Sequence, residues 1–272
     1  MKLITWNVAG RVGKLQEQIN FIEQANPDVL TLQEITEKTL PLFKDHLTEL
    51  GYHYLVSSID LTEDKSIFQG ARKYGTLIAS KWPISKSTIG GEGIDWPERF
   101  LTTHVETPTK LITVHTTYIP PGSSNGWKKI ELLEGIYKTL SQDLNTFTIL
   151  TGDFNSPQEE MDNGEVHTWA SSKNKAGIYK LKKSRGERWD NGERNIISGL
   201  KDYDLEDVYR KLYGYEKQEY SWVAKREGKE WGRRFDHVFA AKELNPIEAK
   251  YVHEVRTEKI SDHSAMEVTF DN

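Results

Sequence analysis

Apolar positions along the chain follow two periods. Nine runs are strand-length and rich in Ile, Val, Thr and aromatics: Leu3–Trp6, Val29–Leu32, Tyr54–Ser57, Thr76–Ala79, Leu111–Thr117, Phe147–Thr151, Tyr220–Val223, Phe235–Ala240 and Ala265–Phe270. Three stretches carry helical stripes instead. Leu15, Ile19 and Ile22 share a face before Asn26-Pro27 stops the helix; Leu40, Phe43, Leu47 and Leu50 form a second stripe ended by Gly51; Ile130, Leu133, Ile136, Tyr137 and Leu140 form a third. Helices interrupt the strands irregularly, and strict βα alternation is lost after residue 50. The pattern predicts an α/β fold of mixed sheets covered by helices, not a doubly wound parallel sheet. Residues 158–200 have weak periodicity with many Lys and several Gly, and read as an irregular insert.

Polar groups recur at the ends of these apolar runs. Trp6-Asn7 follows KLIT, Gln33-Glu34 follows VLTL, Asp153 and Asn155 follow FTIL, Asp236-His237 sits in RRFDHVF, and Asp262-His263 follows EKIS. Such groups converge on one sheet edge. A carboxylate left there without a partner is costly, and several repel one another unless a cation or an imidazolium sits among them. Each also has a local reading. Glu34 can cap the turn at Thr36, Asp153 to Asn155 can form an Asx turn, and Asp262 can cap a turn before the last strand.

Composition narrows the chemistry. The chain has 272 residues and no cysteine, which excludes disulfides and thiolate metal sites. A metal would be held by carboxylates, amides or His, which suits a hard cation such as Mg²⁺ or Mn²⁺. No apolar run reaches the roughly 18 residues that span a bilayer. The N-terminus MKLITWNVAG reads as a strand and not as a signal peptide, so a soluble, cytoplasmic protein is expected. No stretch has linker composition, and residues 1–272 read as one domain with no obligate protein partner. The net charge of -5 argues against tight indiscriminate nucleic-acid binding, but residues 165–234 hold 17 Lys/Arg against 12 Asp/Glu. KNKAGIYKLKKSRGER (173–188) and KREGKEWGRR (225–234) are the densest stretches. Lys182, Lys183 and Arg185 can follow phosphates there, and Trp231 is a better base-stacking candidate than Trp222, which reads as core.

The ordered set TWNVAG, LTLQEI, YIPPG, TGDFN, RRFDHVF and SDHSA resembles the endonuclease/exonuclease/phosphatase superfamily. The stretch DVYRKLYGY…YSWVAKREGKEWGRRFDHVF is similar to exonuclease III-type abasic-site endonucleases. The resemblance implies a four-layer α/β sandwich, two mixed sheets face to face with helices outside. It implies a metal-dependent phosphodiesterase, a nuclease on DNA or RNA. Rival readings are a phosphatase or phosphodiesterase on a small phosphorylated molecule or lipid headgroup, and a catalytically dead scaffold. It assigns catalytic roles to Asp153, Asn155, His263, Asp236 and Tyr118, with Asp236 holding the His263 ring. Metal contacts fall to Glu34, Asn7 and, more weakly, Asp262. Substrate contacts fall to Asn7, Asn155 and His263. Two departures stand out: Ala9 replaces an acid, and Pro121 replaces an Asn or Gln, that many abasic-site endonucleases carry. His115 and Tyr118 are three apart and face opposite sides of a regular strand, and Tyr118, nearer the strand end, is preferred for the site.

Overall fold

A computed structural model describes residues 1–68, 72–142 and 147–271. Twelve strands build two six-stranded sheets. In chain order they are β1 (Lys2–Asn7), β2 (Val29–Ile35), β3 (Tyr54–Ser57), β4 (Gly75–Ser80), β5 (Ile84–Ile89), β6 (Phe100–Glu106), β7 (Leu111–Tyr118), β8 (Phe147–Asp153), β9 (Glu206–Asp207), β10 (Asp236–Ala240), β11 (Pro246–Val252) and β12 (Ala265–Phe270). The first sheet runs β11-β12-β1-β2-β4-β3 and the second β9-β10-β8-β7-β6-β5. Both sheets are mixed: β1–β2 in the first and β7–β8 in the second are parallel, and the other neighbours are antiparallel.

Period-2 alternation divides each strand between two cores. Leu3, Val29, Ile78, Val114, Ile149, Val238 and Val268 point inward, where the sheets pack face to face. Ile4, Trp6, Leu30 and Leu32 point outward onto the predicted stripes of α1 (Leu15–Ala25) and α2 (Thr39–Glu49). On the second sheet, Leu150 and Phe239 meet Ile130, Leu133 and Ile136 of α3 (Lys128–Leu140) and Trp189 of α4 (Gly186–Arg194). The result is the expected α/β/β/α sandwich. Among the described residues no helix is long and apolar enough to cross a membrane.

The differences from the sequence pattern have local causes. β5 (ISKSTI) and β11 (PIEAKYV) are edge strands with solvated faces, so their apolar signal is diluted. The run expected at Tyr220–Val223 starts at Trp222 and pairs with Lys229–Arg233 in a separate hairpin outside both sheets. The 158–200 insert holds two short hairpins and α4, whose buried face is reduced to Trp189, Gly192 and Glu193.

Candidate active site

Asn7 ends β1, Glu34 lies near the end of β2, Tyr118 ends β7, Asp153 ends β8 and Asp236 opens β10. The β7–β8 register sets Tyr118 beside Asp153, and the β10–β8 register sets Asp236 opposite it. Gly152 is required at this point. Its φ is +140°, and a Cβ would lie 2.0 Å from the Thr117 carbonyl oxygen.

One amide bridges two acids from the two sheets. Asn7 Nδ2 donates to Asp153 Oδ2 at 2.9 Å and to Glu34 Oε1 at 3.1 Å. Its own oxygen accepts from the Ala9 N–H at 2.9 Å, which fixes which way the amide faces. Glu34 sits on a bulge where β2 slips against β4, in the left-handed region at φ 59°. A β-bulge re-aims a side chain, and such strain in a non-glycine residue is held only by its surroundings.

Asp153 is buried and collects donors. The Asn155 backbone N–H reaches Oδ1 at 2.9 Å and Asn155 Nδ2 reaches Oδ2 at 3.3 Å. The Asx turn is therefore real, and it serves to bring the amide back onto the carboxylate, while Phe154 points outward into the helix-covered core. Burial raises the Asp153 pKa to about 7, with Asp236 adding to the rise and His263 opposing it.

His263 Nδ1 lies 2.7 Å from Asp236 Oδ2, and Nε2 lies 3.8 Å from Asp153 Oδ2. Burial alone would lower the imidazole pKa; Asp236 and Asp153 outweigh it and raise it to about 10. The backbone around it is pinned: Trp6 Nε1 donates to the His263 carbonyl at 3.1 Å, and Trp222 bridges to His263 while its ring stacks on Phe235.

Tyr118 faces the acids, as Val114 and Thr116 before it face inward. Burial, then the negative Glu34 and Asp153, raise its pKa far above the usual phenol range, so it is a donor and not a base. His115 faces the other way, stacked on Phe100 and bonded through Nδ1 to Thr102. Burial lowers its pKa to about 3, and it is a neutral core residue. His237 is likewise internal, its ring nitrogens 2.9 Å from Asp207 and from the Ser156 carbonyl.

Asp262 stands at the exposed rim of this group: its side chain is 52% exposed and pairs with Arg11 at 3.5 Å, while its charge adds to the rise of the His263 pKa. Neighbouring His263 is buried and Asp262 exposed. Two residues outside every motif stand beside Tyr118. The Arg99 guanidinium lies 4.7 Å from its ring, and Tyr74 packs edge-on at 5.6 Å. Nothing in the local sequence separates either from a core or surface residue.

Ligand-type atoms of Asp153, Asp236 and His263 lie within 4.8 Å of one another. An imidazole kept protonated by Asp236 has no free lone pair, so this trio is better suited to proton and phosphate chemistry than to caging an ion. Glu34 and Asp153, tied through one amide and free of thiols, have the oxygen chemistry of a hard divalent cation.

Basic grooves open on both flanks. One of about 320 Å³ is lined by Arg72, Lys73, Tyr74, Arg99 and Tyr118. A second of about 260 Å³ joins Asn155 to Pro121, Trp169, Lys182 and Arg185, and Lys183 beside it is exposed. A third of about 720 Å³ has mixed charge: Arg11, Lys225, Arg256 and Lys259 line it together with Asp262 and Glu230, which pair with Arg11 and Lys225. Trp231 is 40% exposed on the Lys229–Arg233 strand. Arg210 and Arg234 from the basic region are internal, paired with Glu160 and Asp207, so the surface surplus is smaller than the count suggests.

Residues 4–263 match the Endonuclease/Exonuclease/phosphatase family, and the chain belongs to it. It is 26% identical to the exodeoxyribonuclease III of Haemophilus influenzae over 99% of this chain and all of that one. It is also 26% identical to a DNA-(apurinic or apyrimidinic site) endonuclease of Dictyostelium discoideum, over 100% of this chain and 71% of that one. Among solved structures it resembles an AP endonuclease from Archaeoglobus fulgidus, with TM-score 0.74, 21% identity and full coverage of both chains.

Proposed function

We propose that this protein is a Mg²⁺- or Mn²⁺-dependent nuclease that hydrolyses phosphodiester bonds in DNA. The observation that carries the reading is the split between two buried carboxylates at one sheet edge. Asp153 is kept basic by its burial among neutral amide donors, while Asp236 keeps His263 cationic. The full-length likeness to an exodeoxyribonuclease III supports a nucleic-acid substrate, as do the basic grooves beside Asn155 and Tyr118.

Each residue then has a task. Asp153 accepts a proton from the attacking water, and its pKa near 7 suits a general base. Asn7 and Asn155 fix the carboxylate without adding charge. The His263 imidazolium, held by Asp236, faces the phosphoryl oxygens, where negative charge builds. Tyr118 donates to the phosphate or to the departing oxygen. Glu34, with Asn7 beside it, would hold the divalent cation, which would supply charge neutralisation at the phosphoryl oxygens. Lys182, Lys183 and Trp231 contact the strand beyond the cleaved bond.

The test is a panel of phosphoesters with either metal: abasic, intact double-stranded, single-stranded and RNA oligonucleotides, a 3'-phosphorylated oligonucleotide and small phosphate esters. Cleavage of DNA that stops in excess chelator and returns with Mg²⁺ or Mn²⁺ is expected. Turnover of small esters alone, or full activity after metal stripping, refutes the reading.

A further inference from the structure

Lys129 follows Lys128 in the first turn of α3 and lies outside the apolar stripe of Ile130, Leu133, Ile136, Tyr137 and Leu140. In the structure its side chain is 0% exposed. The ammonium donates to the Asn155 carbonyl at 2.8 Å and to Ser156 Oγ at 2.7 Å, and pairs with Glu193 Oε1 at 3.1 Å. Glu193, also fully buried, accepts from Trp189 Nε1 at 2.7 Å and from the Trp169 backbone N–H at 3.0 Å. Trp169 in turn donates from Nε1 to the same Asn155 carbonyl at 2.9 Å.

All of this converges on a strained residue. Asn155 has φ 47°, in the left-handed region, and its side-chain amide reaches the Ile119 carbonyl at 2.9 Å and Asp153 at 3.3 Å. Hydrophobic residues often replace a buried ion pair with no loss of stability, so stability alone is a weak reason for a lysine here. What an ammonium provides and a methyl group does not is several hydrogen bonds to the main chain and side chain of one loop. Strain of this kind persists only where the surroundings over-determine it.

We propose that Lys129 and Glu193 are positioning residues for the hydrolysis. The ammonium holds the Asn155–Ser156 segment so that the Asn155 amide stays aimed at Asp153. The inference rests on Asp153 being the base of the proposed reaction, and it concerns residues that touch neither water nor substrate.

The experiment crosses two perturbations. Lys129→Met, and Lys129→Met with Glu193→Gln to leave no unpaired buried carboxylate, are each made in the wild type and in Asn155→Gly. Glycine tolerates the left-handed backbone but lacks the amide. Folding is checked by thermal melts, and kcat and KM are measured on a cleaved oligonucleotide. In the wild-type background kcat is expected to fall about 100-fold, the scale for small misplacements of a catalytic group, with KM nearly unchanged. In the Asn155→Gly background the same change is expected to cost about three-fold or less, because the two act through one group. Equal losses in both backgrounds, or an undiminished kcat in a folded variant, overturn the proposal. A crystal structure of the charge-free pair variant gives a second readout. Asn155 leaving φ near 47° and turning away from Asp153 supports the proposal, and an unmoved Asn155 overturns it. A wild type that cleaves no phosphoester sinks the nuclease reading and this proposal with it; an active wild type with an unmoved Asn155 sinks this proposal alone.

Discussion

Asp236→Asn tests the electrostatic logic of the site most directly. The substitution keeps the shape of a fully buried residue and removes the charge 2.7 Å from His263 Nδ1. Burial lowers the His263 pKa on its own, and Asp236 is the largest force raising it to about 10. Without that charge the imidazole returns toward its ordinary value near 6.5. At pH 8 only about 3% of rings are then cationic, so protonation alone lowers the rate about 30-fold. The wild-type profile of kcat/KM is expected to rise as the Asp153–His263 pair loses its first proton near pH 7, and to fall near pH 10 as it loses the second. In the variant the alkaline limb moves down toward about pH 6.5, which narrows the bell as well as lowering it. The assay is cleavage of a fluorescent duplex across roughly pH 5.5–10.5, a range bracketing both limbs, at fixed ionic strength with saturating Mg²⁺, each protein checked by circular dichroism. An alkaline limb that stays near pH 10 in folded Asp236→Asn would refute the claim that Asp236 sets the charge on His263.

Asp153→Asn is expected to reduce kcat by about 100-fold or more, the scale for losing a general base. It is also expected to raise the melting temperature at about pH 8. A carboxyl whose folded pKa, about 7, exceeds its ordinary value of 3.8 destabilises the fold increasingly as pH rises between the two, and the amide removes that penalty. Near-normal rates, or a lower melting temperature at that pH, count against it. Tyr118→Phe should slow single-turnover cleavage while leaving the fold intact. His115→Ala should lower stability by about 1–3 kcal/mol with little change in rate, because His115 packs on Phe100 away from the acids; the reverse ranking refutes the orientation argument. Replacing Lys182, Lys183 and Arg185 together with Ala should flatten the log–log salt dependence of oligonucleotide affinity by about 0.9 for each duplex phosphate no longer neutralised. An unchanged slope removes the groove beside Asn155 from the binding path.

The site was legible because its main residues sit where an apolar period-2 run meets a polar group. Asn7, Glu34 and Asp153 announce themselves at the end of such a run, Asp236 and His263 stand where an apolar run begins, and the three-residue spacing of His115 and Tyr118 separates the two faces of the strand. What escaped depends on partners distant in sequence. The left-handed turn at Glu34 comes from a slip against β4, well along the chain. Asp262 carries the same strand-end signature as the others, but it is half exposed and its partner, Arg11, is distant in sequence. Lys129 looks like any helix lysine until Glu193 is folded beneath it. Arg210 and Arg234 belong to a compositionally basic region and yet lie inside, because Glu160 and Asp207 are buried with them. Charge counts along a sequence do not distinguish a solvated face from an internal ion-pair cluster.

The choice of partner separates the roles of the two acids. Both Asp153 and Asp236 are buried; Asp153 has both oxygens engaged, whereas Asp236 binds through Oδ2 and its Oδ1 has no hydrogen-bond partner among the described residues. Asp153 meets the amides of Asn7 and Asn155, neutral donors that fill its hydrogen bonds but stabilise its charge only modestly, and its affinity for a proton stays high. A lysine in place of Asn7 would satisfy the same oxygen and lower that affinity, because an adjacent opposite charge favours the ionised form. Asp236 meets an imidazole instead, and its charge goes into holding the His263 ring cationic. Environments that push titratable groups apart make an acid–base pair at neutral pH. Here the difference comes down to an amide at the end of β1 and a histidine just before β12, on strands that are paired neighbours in one sheet.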